Sequence, residues 1–149
     1  MARTIFEQTE DRIFLLFLLR ESGPVERIEI LENLVFLASF YAIDEGLPKS
    51  FNYRFIKLKG NALAYELAGD IRDLVGAGLV DVEVPTTFFA TEEGLEFLEE
   101  TLEENPDLVD RLKSINIAVM KYREGTPLLK QIKALSTFQA AQNGQLIPS

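Results

Sequence analysis

The sequence predicts a mainly α-helical protein with one small β-hairpin, an α+β domain, on three observations. Apolar residues recur at helical spacing across residues 24–41, where Leu31, Leu34, Val35, Leu37 and Ala38 share a face and Ile28 lies one turn upstream. Leu79-Val80-Asp81-Val82-Glu83-Val84 alternates as a half-buried strand does, and after Pro85-Thr86 the stretch Thr87-Phe88-Phe89-Ala90 can return beside it. A chain of 149 residues with 47% hydrophobic content is also long enough for one real core.

The first helix is expected to start at Thr4. Its spacing to Glu7 is that of a capping box, in which hydroxyl and carboxylate each meet an otherwise unpaired backbone N–H. It runs to about Glu21 and stops at Ser22-Gly23-Pro24. Its middle, Ile13 to Leu19, is apolar all round, as in a helix buried in a core or across a subunit interface. Pro24 suits the first position of the second helix, where a missing N–H costs nothing. Residues 42–60 read as irregular, broken by Gly46-Leu47-Pro48, with Phe51, Tyr53 and Phe55 alternating as in a short extended piece.

Gly60-Asn61 then leads into a third helix on which Leu63, Leu67, Ile71, Leu74 and Val75 share a face, ended by Gly76 and Gly78. After the hairpin, Thr91 is placed to cap a fourth helix, with Glu92 and Glu93 in its electropositive first turn. Leu95, Leu98 and Leu102 point inward until Asn105-Pro106 ends it. Leu108, Leu112, Ile115, Val119 and Tyr122 form a seam two heptads long, too short to stand as a free coiled coil. Gly125 closes that helix, and Thr126-Pro127 starts another along which Leu128, Ile132, Leu135 and Phe138 face one way. Residues 107–142 therefore read as a helical hairpin, packed on the rest or forming a dimer interface, and 143–149 as a flexible tail. With Phe14 and Phe17 of the first helix, Leu108, Leu112, Ile115, Val119 and Tyr122 are the candidate dimer contacts.

The absences narrow the function. Without Cys there is no disulfide, thiolate nucleophile or cysteine metal site, and without His the usual general base and transition-metal ligand are gone. Lys113-Ser114 is no catalytic pair, because adjacent helical positions point apart. Glu92, Glu93, Glu96, Glu99, Glu100, Glu103 and Glu104 are spaced to paint one exposed helix face, not to enclose a metal. The chain is expected to be non-catalytic, to carry no cofactor or metal, and to sit in the cytoplasm off the membrane: it shows neither signal-peptide order nor a long apolar run. The net charge of −9 is uneven, for residues 1–110 hold 9 Lys/Arg against 23 Asp/Glu and residues 111–149 hold 6 against Glu124 alone. Either the last third docks on the rest, or it offers a basic patch to a partner.

Helix, helix, helix, hairpin and helix is the order of a winged helix-turn-helix domain. Leu74-Val-Gly-Ala-Gly-Leu-Val-Asp, a hairpin, then Ala90-Thr-Glu-Glu-Gly-Leu resembles the corresponding passage of winged-helix regulators such as the MarR and PadR groups. Leu31-Glu-Asn-Leu-Val-Phe-Leu-Ala and Tyr53-Arg-Phe-Ile-Lys-Leu-Lys-Gly60 are similar to two passages of the Panacea and YwgA-like group of small prokaryotic winged-helix proteins. That group carries Gly-Pro-Tyr-Ser where this chain has Gly60-Asn61-Ala62-Leu63. The resemblance implies a winged-helix domain over residues 4–104, with its wing at about 79–91. Because the group is associated with antitoxins that bind their toxins directly, it also implies a regulatory role through protein contacts, as a homodimer or in a partner complex.

The alternative is a DNA-binding transcriptional regulator. A winged helix reads the major groove with its third helix and touches phosphate with its wing, and phosphate contact needs cations. The predicted third helix carries Glu66, Asp70 and Asp73 against Arg72 alone, and the wing has Asp81 and Glu83 with no Lys or Arg, which disfavours a nucleic-acid partner. The remaining path for DNA, or for a protein partner, runs through Lys49, Arg54, Lys57, Lys59 and Asn61.

Overall fold

The computed structural model describes residues 2–125 and 127–147. It is mainly helical with two small antiparallel β-hairpins. Helix α1, Ile5–Ser22, opens with the capping box: the Glu7 amide donates to Thr4 Oγ1 at 3.1 Å and the Thr4 amide to Glu7 Oε1 at 2.9 Å. Every residue from Ile13 to Leu19 is buried, so the all-round apolar stretch is a central core helix. Helix α2, Ile28–Asp44, starts later than Pro24 would place it. Val25 is extended and exchanges two backbone hydrogen bonds with Phe88, at 2.8 and 2.9 Å, so sheet pairing draws Pro24-Val25 out of the helix.

Residues 55–64 also depart from expectation. Strands β1, Phe55–Leu58, and β2, Asn61–Ala64, pair antiparallel around Lys59-Gly60. Both turn residues have positive φ, 50° and 80°, the backbone geometry that matches the twist of a two-residue hairpin. Helix α3 therefore spans only Leu67–Gly76, and Leu63 lies in a strand rather than on the helix face assigned to it. Two polar residues of α2 complete the outer edge of β2: Asn33 Oδ1 accepts from the Ala62 amide at 3.0 Å and Glu32 Oε2 from the Ala64 amide at 2.8 Å. Buried N–H groups that would be costly unpaired are thereby satisfied.

Strands β3, Val80–Glu83, and β4, Thr87–Ala90, form the expected second hairpin, and helix α4, Glu92–Glu104, follows it. Thr91 Oγ1 accepts from the Gly94 amide at 3.0 Å and donates to the Gly78 carbonyl at 2.6 Å. A Cβ on Gly94 would lie 2.9 Å from the Leu79 carbonyl carbon and closer still to its oxygen. Only glycine lets α4 start this close to the strand.

A 3-10 segment, Pro106–Leu112, leads into α5, Lys113–Arg123, which packs along α2 and α1. The second arm of the expected hairpin is broken into α6, Leu128–Lys133, and α7, Ser136–Ala140. Thr126, expected to start this arm with Pro127, lies outside the described residues. Residues 143–147, expected as a tail, run antiparallel beside β1. Lys57 donates its amide to the Gln145 carbonyl at 3.0 Å, Ile147 donates to Phe55 at 2.8 Å, and Ile147 is buried. No helix among the described residues is long and apolar enough to cross a membrane.

Candidate interaction surface

The proposed dimer contacts are spent within the chain. Phe14, Phe17, Leu108, Leu112, Ile115 and Val119 belong to one core cluster, and Tyr122 packs half-buried against it. The seam repeats because α5 packs against α1 and α2.

The basic path is likewise dispersed. Arg54 pairs with Glu66 at 3.2 Å and lies over the Tyr65 ring, 4.9 Å from its centroid. Lys57 donates to the Phe138 carbonyl at 3.0 Å and sits 4.5 Å from that ring's centroid, tying β1 to α7. Asn61 accepts from Asn33 Nδ2 at 3.1 Å. Lys49 and Lys59 stay exposed on separate segments, their backbones held by Arg111 and Asn143. These residues stabilise the β1–β2 hairpin and its neighbours more than they form one charged surface.

The acids of the third helix have partners that sequence order hides. The Arg3 guanidinium, 7% exposed, donates to Asp11 at 2.7 Å, to Asp70 at 2.7 and 3.1 Å and to Glu66 at 2.8 Å, and rests 4.9 Å from the Tyr53 ring centroid. Tyr53 Oη donates to Asp70, and Arg12 pairs with Asp73. The expected repulsion of a duplex by Glu66, Asp70 and Asp73 is therefore largely cancelled by Arg3, Arg12 and Arg54, while Arg72 stays exposed. Burial pushes the Asp11 carboxyl up to about 6, although Arg3 and the Asn52 amide favour its charged form. Burial first, and then the charges of Asp70 and Asp11, hold the Tyr53 phenol well above its ordinary value. Burial alone would lower the Arg3 guanidinium, and its hydrogen bonds to Asp70, Asp11 and Glu66 reverse that. Sealed between α1, α3 and the 50–54 loop, the cluster is built to clamp elements together.

The exposed charges of α4 and of the β3 strand are acidic. The seven glutamates of α4 are all exposed, and among the described residues none of them is in an ion pair. Asp81, Val82, Glu83 and Val84 are exposed on the β3 side of the hairpin, Val84 at 90%. Lys113 leans toward Asp110 at 3.7 Å, and the Ser114 hydroxyl is buried without a partner, so the two form no catalytic pair. Among the described residues no acidic cluster is arranged to hold a metal.

Glu32 and Asn33, absent from the site residues expected from sequence, are both buried. Glu32 is 8% exposed, and burial pushes its carboxyl up to about 7 against the hydrogen bond from Ala64, with Glu29 adding to the rise. The available signal was position: Glu32 lies one helical turn from both Ile28 and Phe36, which puts a carboxylate at the edge of an otherwise apolar face. No family model, curated protein or solved structure matches this chain.

Proposed function

We propose that this protein is a non-catalytic, winged-helix-type regulatory module that works through contacts with another protein. On this reading α1, α2 and α3 are the three helices, β3–β4 is the wing, and the β1–β2 hairpin is an insertion between the second and third helices. One observation carries the preference for protein over nucleic acid. Arg54 and Lys57, two of the four cations of the candidate phosphate path, are held in internal contacts, while every exposed charge of α4 is acidic. Phosphate binding draws its affinity from free cations that displace counterions, and a buried or paired cation supplies little of it. The Panacea-like passages give the partner an expected class, a toxin held by direct contact. The core position of the predicted seam favours a different protein over a second copy.

The test is fluorescence anisotropy of a labelled mixed-sequence duplex titrated with the full chain at low salt and again with added salt, alongside light scattering of the protein purified from its native host. No duplex binding and a defined complex with a second polypeptide are expected. Tight duplex binding that weakens steeply with salt would overturn the proposal. It would support the second reading, a DNA-binding regulator, which the neutralisation of Asp70 and Asp73 and the exposure of Arg72 favour.

A further inference from the structure

Between the first turns of α2 and the β1–β2 hairpin lies an open groove of about 470 Å³. Ile28, Leu58, Leu63 and Tyr65 give it apolar walls, and the buried Glu32 is part of its lining. Among the described residues the other buried carboxylates, Asp11 and Asp70, share the Arg3 guanidinium. Glu32 differs. Among the described residues no Lys or Arg nitrogen pairs with it; one oxygen accepts from the Ala64 amide, and the other, without a hydrogen-bond partner, is left to the groove.

A desolvated carboxylate with no counterion is costly, and the cost is relieved when a cation reaches it. The charged groups lining the groove besides Glu32 are Glu29, Glu66 and Lys59. Glu29 of α2 is exposed on its rim. Glu66 is already paired with Arg3 and Arg54, and Lys59 at the turn makes no ion pair with Glu32. We infer that this groove takes a lysine or arginine side chain of a partner polypeptide, its charged head on the free oxygen of Glu32 and its aliphatic stem along Ile28 and Leu63. Long basic side chains suit such a site because they bury a methylene stem while presenting a charge at its end. The inference rests on the protein-contact reading for the occupant being a polypeptide; the chemistry of the site stands apart from it.

Bound cation requires ionised Glu32, so a carboxyl titrating near neutrality makes binding release a proton. With that group at about 7, affinity is expected to be about tenfold higher at pH 8 than at pH 6. The test is NMR titration of the ¹⁵N-labelled full chain with end-capped Ala-Lys-Ala, Ala-Arg-Ala and the uncharged isostere Ala-norleucine-Ala. The Ala64 amide and groove resonances should shift with the two basic peptides, more tightly at pH 8, and not with the isostere. Glu32→Gln keeps an oxygen for the Ala64 amide and should abolish the response while leaving the rest of the spectrum in place. No shift at either pH, a shift unchanged in E32Q, or equal binding of the norleucine peptide would overturn the site. If n-butylammonium binds and neither basic peptide does, the polypeptide occupant is overturned and a small amine takes its place. Duplex binding in the earlier assay would remove the protein-contact reading without moving these resonances, so the two failures are distinguishable.

Discussion

Glu32→Gln should stabilise the protein, slightly at pH 5 and most at neutral and alkaline pH. The structure supplies the magnitude. Glu32 is pushed from 4.5 to about 7 by burial, so the folded state holds a proton that the unfolded chain gives up. The sign follows from linkage: the contribution is fully present below about 4.5 and is lost as pH rises through about 7, where the folded carboxyl must ionise in an apolar wall. Relative to a glutamine that never ionises, the wild type is penalised by ~1 kcal/mol at pH 5 and ~3 kcal/mol at pH 8. The gap between the two proteins should thus widen by ~2 kcal/mol across that interval. Asp11, also pushed up, to about 6, tilts both proteins in the same direction and cancels in the difference. Urea unfolding of wild type and E32Q at pH 5 and pH 8, with the m-values compared, measures the widening directly. Parallel stabilities at the two pH values would show that Glu32 is solvated or already paired. The account of a lone carboxylate in the groove would then be refuted.

Two further substitutions test how the elements are joined. Gly94→Ala places a methyl group against the Leu79 carbonyl, and the crowding should cost ~2 kcal/mol net of alanine's helix preference. That would appear as a fall of ~6 °C in the thermal midpoint followed by circular dichroism, and an unchanged midpoint would mean that α4 shifts freely. Arg3→Ala strips the counterion from buried Asp11 and Asp70 and should lose ~3 kcal/mol or more in urea unfolding at pH 7.5, whereas a loss under ~1 kcal/mol would show the acids satisfied without it.

Local chemistry alone determined several elements, because the residues that decide them are neighbours in sequence. Thr4 and Glu7 close the cap of α1 within one turn, the alternation over 79–84 yields β3, and Thr91 with Gly94 starts α4. The residue types also restrict the chemistry open to the chain, since neither His nor Cys is present.

Tertiary structure decided whatever depends on partners distant in the chain. Leu63 sits at helical spacing from Leu67, yet Asn33 and Glu32, about thirty positions earlier, bind the Ala62 and Ala64 amides and hold that stretch as a strand. Val25 is claimed by Phe88, and the segment up to Ile147 by β1, because extended backbone pairs wherever an open edge is available. Arg3 lies 67 positions from Asp70 and still decides whether the acids of α3 face outward as a repulsive surface or inward as a clamp. Periodicity records which faces are apolar. Which element covers each face, and which charge finds its counterion, are settled only when the whole chain packs.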